Sequence, residues 1–310
     1  MPPKPRLKPL PRVLSRAPLS RLSPPHGIGP APTYRPQLSS PRAPSSSVAP
    51  SRAFSSPSEP AHPLPPNSRW YSDLQARLGK CIMFGCNQEQ ARRAAGILRA
   101  LATEWRALAA GAEGFLTGGR RGLEGQQVVW GEMDSFGHVN NANYIRYAES
   151  ARVNWILHFA GADPANGARW KELMTPKGTG LIMKAIKAEY KFPMTYPDTI
   201  SAYHKLRYEP AASHTSLALD CVILSHRHRR VAARTEEDVV VYDYAAARKT
   251  PVPPFALAAF RDVWSLQLDE TRRARARIRE LTGLVEGLER ETWDRSDAVE
   301  DTGMAGEGRG

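Results

Sequence analysis

The spacing of apolar residues divides the chain into helical and extended regions. In an alanine-rich stretch between residues 70 and 110, apolar residues recur at intervals of three and four, which predicts a helix ending near Gly111. The same spacing predicts a second helix from about Asn141 to Ala160. The apolar period then changes to two, which predicts four strands, at residues 181–192, 199–208, 215–225 and 231–242.

The order of these elements indicates the fold class. A parallel sheet needs a crossover connection, usually a helix, between successive strands, and one long helix followed by four strands does not supply these connections. The remaining arrangement is an α+β fold in which an antiparallel sheet wraps a long central helix. A further helical stretch at residues 255–293 has an apolar stripe that must pack on the domain, on a second subunit or on a partner.

Positive charge is concentrated at the N-terminus. The formal net charge is +12, but residues 1–58 contain nine Lys and Arg residues and no Asp or Glu, so only +3 remains for residues 59–310. A nearly neutral body does not indicate a nucleic-acid partner. The sequence also has no apolar run long enough to predict a membrane span. Its three cysteines, Cys81, Cys86 and Cys221, have no zinc-site spacing, so no metal site is predicted.

The N-terminal segment has the composition of a targeting sequence. The first 66 residues contain 19 of the 27 prolines, together with many Ser and Arg residues, and cannot offset the entropy of ordering. Residues 52–55 and 69–72 both resemble the Arg-x-aromatic-Ser sites that are cleaved in mitochondrial matrix proteins. We therefore expect residues 1–69 to be a disordered mitochondrial transit region. The alternative is a disordered arm that carries no address.

The most informative motif spans residues 128–152, VVWGEMDSFGHVNNANYIRYAESAR. Its order D-x-x-G-H-V-N-N-x-x-Y-x-x-Y-x-E-x-x-R resembles the hotdog-fold acyl-CoA thioesterases of the 4-hydroxybenzoyl-CoA thioesterase type, and in particular fungal-type mitochondrial thioesterase-like proteins. Residues 191–200, KFPMTYPDTI, resemble a second feature of that family. The resemblance implies a hotdog fold, an acyl-CoA substrate and hydrolysis without a cofactor. It also implies a homodimer or homotetramer, because family sites form between protomers.

The resemblance gives each polar residue around the predicted helix start a role. Asp134 matches the acid that attacks the thioester carbonyl, or activates water against it, and His138 can donate a hydrogen bond there. Free N–H groups near Asn140 and Asn141 would polarise the carbonyl. Glu149 is a reserve candidate, because related hotdog enzymes of a different lineage use a glutamate on the helix as catalytic acid.

Two of these candidates also have a purely structural interpretation. Asp134 could be an N-cap or a turn acid. Glu149 could form an ion pair with Arg146 or Arg152, which lie at helical spacing from it. The catalytic interpretation of Asp134 therefore depends on the complete motif rather than on the acid alone.

Two groups of basic residues are open to more than one interpretation. Residues 226–230, HRHRR, join two predicted strands and are interpreted as a solvated hairpin turn. The alternative is that these cations, or Lys184 and Lys187, contact the phosphates of coenzyme A. The glycine-rich stretch 114–122 lacks the Gly-Lys-Ser/Thr ending of a P-loop and is interpreted as a flexible connector.

The sequence thus predicts a helical N-terminal extension at residues 70–125, a hotdog thioesterase domain at 126–245, and a C-terminal helix with a disordered tail at 246–310. The predicted function is hydrolysis of an acyl-CoA thioester in the mitochondrial matrix. The alternative is a non-catalytic hotdog protein that serves as a structural or assembly subunit of a mitochondrial complex, which the flanking helices favour. A hydratase or dehydratase on the same fold would need an Asp/His pair in a different motif.

The transit region gives a first testable prediction. We expect the segment to be removed on import, so that protein isolated from mitochondria begins between about residues 54 and 71. N-terminal sequencing of that protein measures this directly. A chain from cells that still begins at Met1 would contradict import by this segment.

Overall fold

The structure, a computed structural model, describes residues 66–298. The predicted transit region up to residue 65 and the predicted tail from residue 299 lie outside the described residues. The helices and strands are α1 (Trp70–Met83), α2 (Gln88–Gly111), β1 (Gly122–Val128), α3 (Asn141–Ala162), α4 (Gly167–Glu172), β2 (Thr179–Tyr190), β3 (Asp198–Leu206), β4 (Ser216–Ser225), β5 (Arg230–Asp243), β6 (Arg248–Lys249) and α5 (Pro254–Glu291). Within residues 66–298, no helix combines the length and the apolarity that crossing a bilayer requires.

The strands form one antiparallel sheet around α3. Its order is β1-β3-β4-β5-β2, and the short β6 pairs with the end of β5. The predicted α+β class and the hotdog arrangement of a long central helix with an antiparallel sheet are confirmed. The four predicted strands and the predicted central helix are each found within about two residues of their expected ends.

One face of the sheet, called here the inner face, packs against α3. The helix buries side chains that recur at intervals of three and four, among them Tyr144, Tyr147 and Trp155. Ala148 and Ala151 are fully buried and have the smallest side chains of that stripe, so the helix backbone approaches the strands closely. Burial of each large side chain stabilises the fold by roughly 1.5–3 kcal/mol. This packing fixes where the N-terminus of α3 lies.

The opposite, outer face of the sheet is covered by α1, α2 and α5. Because side chains alternate along a strand, Tyr203, Val222 and Leu224 point away from α3 and join the apolar cluster of these three helices. The first turns of α5 instead pack beside α3, where the rings of Phe260 and Trp155 are stacked with centroids 5.6 Å apart. The apolar stripe of α5 is therefore buried within its own chain.

The region predicted as helical between residues 70 and 110 contains two helices. The chain turns after α1 at Gly85, whose φ of 83° lies in the left-handed region that favours glycine. Asn87 then begins α2 with a capping box, in which its side chain accepts from the Gln90 N–H and the Gln90 side chain accepts from the Asn87 N–H. Gly85 and the Asn87–Gln90 pair are both visible in the sequence, and they account for the break between α1 and α2.

A group of charged and polar side chains is buried between α3 and the sheet. The carboxylate of Glu237 accepts hydrogen bonds from Arg152 at 2.7 Å and from the Thr235 hydroxyl at 2.9 Å. Its Oε2 atom also lies 3.2 Å from Nε2 of His204, which is buried as well. Burial alone raises the pKa of the Glu237 carboxyl, but the His204 ring and the Arg152 guanidinium outweigh burial and lower this pKa to about 2.

The buried pair gives a stability prediction. Glu237→Gln removes the counter-ion of a guanidinium that is largely shielded from water, so we expect unfolding free energy to fall by about 3–5 kcal/mol in urea denaturation. Glu236→Gln is the matched control, because the neighbouring side chain points to the opposite face and its ion pairs are half-exposed. It should cost less than about 1 kcal/mol. Equal losses in both variants would contradict the buried pair.

The same carboxyl predicts a pH dependence. Its pKa is lowered from an ordinary value of 4.5 to about 2, so its contribution to stability is complete above pH 4.5 and is lost as pH falls toward 2. Wild-type protein should therefore lose more unfolding free energy than Glu237→Gln between these pH values. Parallel stability curves for the two proteins would show that Glu237 does not contribute in this way.

Candidate active site

A tight turn holds Asp134 immediately before α3. The Asp134 N–H donates to the carbonyl of His138 at 2.8 Å, and the Gly137 N–H donates to the Asp134 carbonyl at 3.0 Å. Gly137 has a φ of 74°, in the left-handed region that an L side chain rarely adopts. The carboxylate oxygen Oδ1 of Asp134 accepts from the Phe136 N–H at 2.9 Å, which completes an Asx turn.

The end of this turn is joined to both the sheet side and the helix. The Val139 N–H donates to the carbonyl of Met194 at 2.8 Å, and the Asn140 N–H donates to the carbonyl of Glu132 at 2.9 Å. Asn140 is the N-cap of α3, because its side-chain oxygen accepts from the Ala142 N–H at 2.9 Å. The turn and the first turn of α3 therefore form one hydrogen-bonded unit.

Glu132 is a residue of this site that the sequence interpretation missed. Its Oε2 accepts from the Tyr147 hydroxyl at 2.7 Å and from the Val129 N–H at 2.9 Å, and its carbonyl accepts from Asn143 Nδ2 at 2.9 Å. Burial raises the pKa of Tyr147, and the hydrogen bond to Glu132 raises it further, so this hydroxyl stays protonated as a donor. The sequence contains no capping signal here, because Val129 has no side-chain acceptor that could complete a capping box with Glu132.

Asp134 is half-buried and presents one unpaired oxygen. Within residues 66–298 its Oδ2 atom has no hydrogen bond and no ion pair, whereas Oδ1 makes the Asx turn. The N-cap interpretation of Asp134 is wrong, because Asn140 is the N-cap. The interpretation of Asp134 as a turn acid is confirmed for its Oδ1 atom, which accepts from the Phe136 N–H, but it does not involve Oδ2. A carboxylate oxygen beside the N-terminus of a 22-residue helix is thus left for other chemistry.

His138 and Asn141 lie on either side of the chain segment that enters α3. The His138 side chain is half-buried and makes no hydrogen bond with any described residue. The Asn141 side chain is exposed, and its backbone N–H has no acceptor among the described residues. The Asn140 N–H, which we expected to be free, is already donated to Glu132. The structure therefore leaves the Asn141 N–H as the free donor at the helix start.

Glu149 is exposed and lies eight residues along α3 from Asn141, a rise of about 12 Å. Its ion-pair interpretation is wrong, since the described residues offer it no ion pair. Arg152 pairs instead with Glu237, and Arg146 donates to the Asn143 side chain. Within one protomer Glu149 therefore stands more than two helical turns from the Asp134 turn.

Large apolar side chains on the turn and on the segments joined to it are exposed. Phe136 is 82% exposed and Trp130 is 72% exposed, and smaller exposed fractions are seen for Val129, Ile145 and Tyr196. An exposed apolar patch of this kind is typical of an interaction surface. The turn that carries Asp134 thus lies beside a surface that a second protein chain can cover.

The basic residues considered for coenzyme A phosphates have different surroundings. Lys184 donates to Asp238 at 2.6 Å and Lys187 donates to Glu236 at 3.3 Å, so both amines already have acidic partners. Residues 226–229 form the turn of the β4–β5 hairpin and Arg230 begins β5, while Nε2 of His226 lies 2.9 Å from the Ser201 hydroxyl. Residues 226–230 are therefore partly held by the fold.

Comparison with known proteins finds a family model that matches less than half of this chain. Residues 128–260 match the family model of the Thioesterase-like superfamily. Helices α1 and α2 and most of α5 lie outside the matched residues. No match was found among curated proteins.

Solved structures of thioesterases are similar over about half of this chain. A thioesterase from Thermus thermophilus, complexed with coenzyme A and Zn, has 18% identity over 47% of this chain and 97% of its own, with a TM-score of 0.37. A candidate thioesterase from Pseudomonas aeruginosa has 27% identity over 43% of this chain and 93% of its own, with a TM-score of 0.35. A DHNA-CoA thioesterase from Staphylococcus aureus has 15% identity over 52% and 91%, with a TM-score of 0.33.

The two neighbouring asparagines give a paired prediction. Asn140→Ala removes the N-cap, so we expect a loss of about 1 kcal/mol of unfolding free energy. Asn141→Ala removes a side chain that bonds no described residue, so its effect should stay within about 0.5 kcal/mol. Urea denaturation of both variants measures the difference, and the reverse order would contradict the assignment of the cap.

Proposed function

We propose that this protein hydrolyses acyl-CoA thioesters, with Asp134 as the reacting carboxylate. The observation that carries the proposal is the half-buried carboxylate of Asp134, whose Oδ2 has no partner among residues 66–298 and which lies on the hydrogen-bonded turn that leads into α3, seven residues before the free Asn141 N–H. Thioester hydrolysis needs such a carboxylate together with a donor for the carbonyl oxygen. The thioesterase-like family of residues 128–260 supports the same reaction class.

In the proposed reaction, Asp134 either takes a proton from water as that water attacks the thioester carbonyl, or attacks the carbonyl itself before water releases the acid. The negative charge that develops on the carbonyl oxygen is stabilised by the Asn141 N–H and by the positive end of the α3 dipole. The carbon–sulfur bond then breaks. The hydroxyl of water remains on the acyl group and its proton goes to the coenzyme A sulfur.

We propose that the active unit is a homodimer. In the described sheet β2 pairs on one side with β5, and its other edge is open. The outer face of the sheet is covered by α1, α2 and α5, so a second copy can instead cover the open β2 edge and the exposed apolar side chains around Phe136. A second protomer would also close the site over Asp134. A homotetramer, the other assembly that the sequence predicts, would need a second interface that joins two such dimers.

The non-catalytic alternative rested on the flanking helices. Their apolar residues are buried against one another and against the outer sheet face, so the helices have a structural role within the chain. That packing does not itself call for a separate partner. For location, we propose the mitochondrial matrix, on the basis of the basic, proline-rich composition of residues 1–69.

Asp134→Asn tests the proposal. Asparagine keeps the oxygen that accepts from Phe136, so the turn should fold, but it cannot act as a base. We expect kcat and kcat/KM on a panel of acyl-CoA substrates to fall together, by about a hundredfold or more. Melting temperature and dimeric sedimentation should remain those of the wild type.

Asp243→Asn is the matched control. Asp243 also forms an Asx turn, in which its Oδ1 accepts from Ala245 and Ala246, but this turn follows β5 and is separate from the Asp134 turn. Its hydrolysis rate should equal the wild-type rate. A wild-type protein that is folded and dimeric but hydrolyses no acyl-CoA would overturn the proposed function.

Glu149→Gln separates the reserve candidate from Asp134. Since Glu149 is exposed and makes no ion pair with a described residue, stability should change by less than about 0.5 kcal/mol. If Asp134 alone supplies the carboxylate, the hydrolysis rate should also change little. A hundredfold loss of rate at unchanged stability would instead assign Glu149 a catalytic role.

A further inference from the structure

A basic and aromatic cavity lies between the N-terminal helices and the β4–β5 hairpin. Its volume is about 440 Å³, and its walls come from the start of α1, the end of α2, the residues after β2 and the start of β5. We call it the cationic pocket, and it is lined by Arg69, Trp70, Tyr71, Trp105, Lys191, Phe192, Arg229, Arg230 and Arg234, with Glu113 as the acid. Two of its walls come from α1 and α2, which lie outside the residues that the family model matches.

The charge of the pocket is unbalanced. Glu113 is fully engaged by Arg234, with two hydrogen bonds of 2.6 Å. Lys191 and Arg69 have nearby carboxylates, but within residues 66–298 no carboxylate pairs with Arg229 or Arg230. Like charges gathered in a cavity repel one another and favour a bound anion.

The two unpaired arginines are held by aromatic rings. The Arg230 guanidinium lies 3.9 Å from the centroid of the Phe192 ring, and the Arg229 guanidinium contacts the Tyr71 ring and hydroxyl. Cation–π contact fixes the guanidinium plane while its N–H groups remain donors. Arg229 also has a φ of 48°, in the left-handed region that favours glycine. Pre-oriented guanidinium groups of this kind suit phosphate oxygens.

Tryptophan and tyrosine rings form an aromatic wall of the pocket. Trp70 is only partly buried at the start of α1, and its ring packs edge-on against Tyr71 at 5.8 Å. Tyr71 in turn contacts Trp105 at 6.4 Å. Aromatic walls beside arginines bind a planar base and its phosphate together. The cavity volume lies within the range of small-molecule sites, about 300–1,000 Å³.

We propose that the cationic pocket binds a nucleotide, with its phosphate on Arg229 and Arg230 and its base against the aromatic wall formed by Trp70. Residues 1–58 do not match the charge of this pocket, since they carry nine positive charges and no acidic residue. Two sources have this chemistry, the nucleotide portion of coenzyme A and a free nucleotide. Phe192 stands two residues before Met194, whose carbonyl accepts from Val139 next to the Asp134 turn, so the chain connects the pocket wall to that turn through residues 192–194.

Isothermal titration calorimetry of the full-length protein with coenzyme A, 3′,5′-ADP, AMP and pyrophosphate tests the proposal. We expect nucleotides to bind at least tenfold more tightly than pyrophosphate, because pyrophosphate lacks the base. Binding of coenzyme A and 3′,5′-ADP in competition with acyl-CoA hydrolysis would assign the pocket to the substrate. Binding of AMP without competition would assign it to a separate nucleotide.

Variants on one hairpin supply the control. Arg230→Gln should weaken nucleotide binding at least tenfold, whereas Arg227→Gln, the same change on the same hairpin but outside the pocket, should leave it unchanged. If Arg230→Gln does not fold, Trp70→Leu should weaken nucleotides about tenfold but not pyrophosphate.

The inference is overturned if none of the four compounds binds, or if pyrophosphate binds as tightly as the nucleotides. It is also overturned if Arg227→Gln weakens binding as much as Arg230→Gln. Because binding is measured without turnover, these results are separate from the test of hydrolysis. A protein that binds nucleotide but hydrolyses no acyl-CoA would refute the proposed function and keep the nucleotide site.

Discussion

The burial of α3 against the inner face of the sheet is the constraint on which the rest of the structure depends. Ala148 and Ala151 allow the helix to approach the strands, and Tyr144 and Tyr147 extend the contact toward the helix N-terminus. Since Tyr147 also donates to Glu132, the same helix face that stabilises the core fixes the turn before it. Core packing and the position of the candidate carboxylate therefore share their side chains.

The second layer of helices changes what the sheet can do. Once α1, α2 and α5 cover the outer face, a charged pair such as Arg234 with Glu113 is partly shielded there from water. Ion pairs also join the helices, for example Arg277 with Glu104 at partly exposed positions and Arg77 with the buried Glu289. A partly exposed pair such as Arg277 with Glu104 contributes little energy and serves mainly to fix how the helices align. The same layer also builds the walls of the cationic pocket.

The two regions of possible chemistry differ in their physical basis. At the Asp134 turn, one carboxylate oxygen has no partner among residues 66–298, while the backbone of the turn is hydrogen-bonded to its neighbours and to the helix cap. In the cationic pocket, Arg229 and Arg230 have no carboxylate partner in the same part of the chain, and aromatic rings contact their guanidinium groups. In both places local packing restrains the side chain, and the unsatisfied group remains able to bind a ligand.

Sequence alone determined the elements and their class. The change of apolar period from 3.6 to two marks α3 and the following strands, because periodicity reflects which side chains face the core. The motif from Asp134 to Arg152 also located the candidate turn, since glycine and capping residues have local conformational causes. Gly85 and Asn87 also indicate locally that the helix is broken between residues 83 and 88, although a single helix was predicted there.

Only the tertiary structure decided which residues meet. That Arg152 pairs with Glu237 rather than with Glu149 depends on a contact between α3 and β5, which no helical spacing reveals. The role of Glu132 and the joining of Arg229 to Tyr71 are likewise contacts between elements distant in sequence. Periodicity specifies the face that a side chain occupies, whereas its partner is chosen by packing between elements.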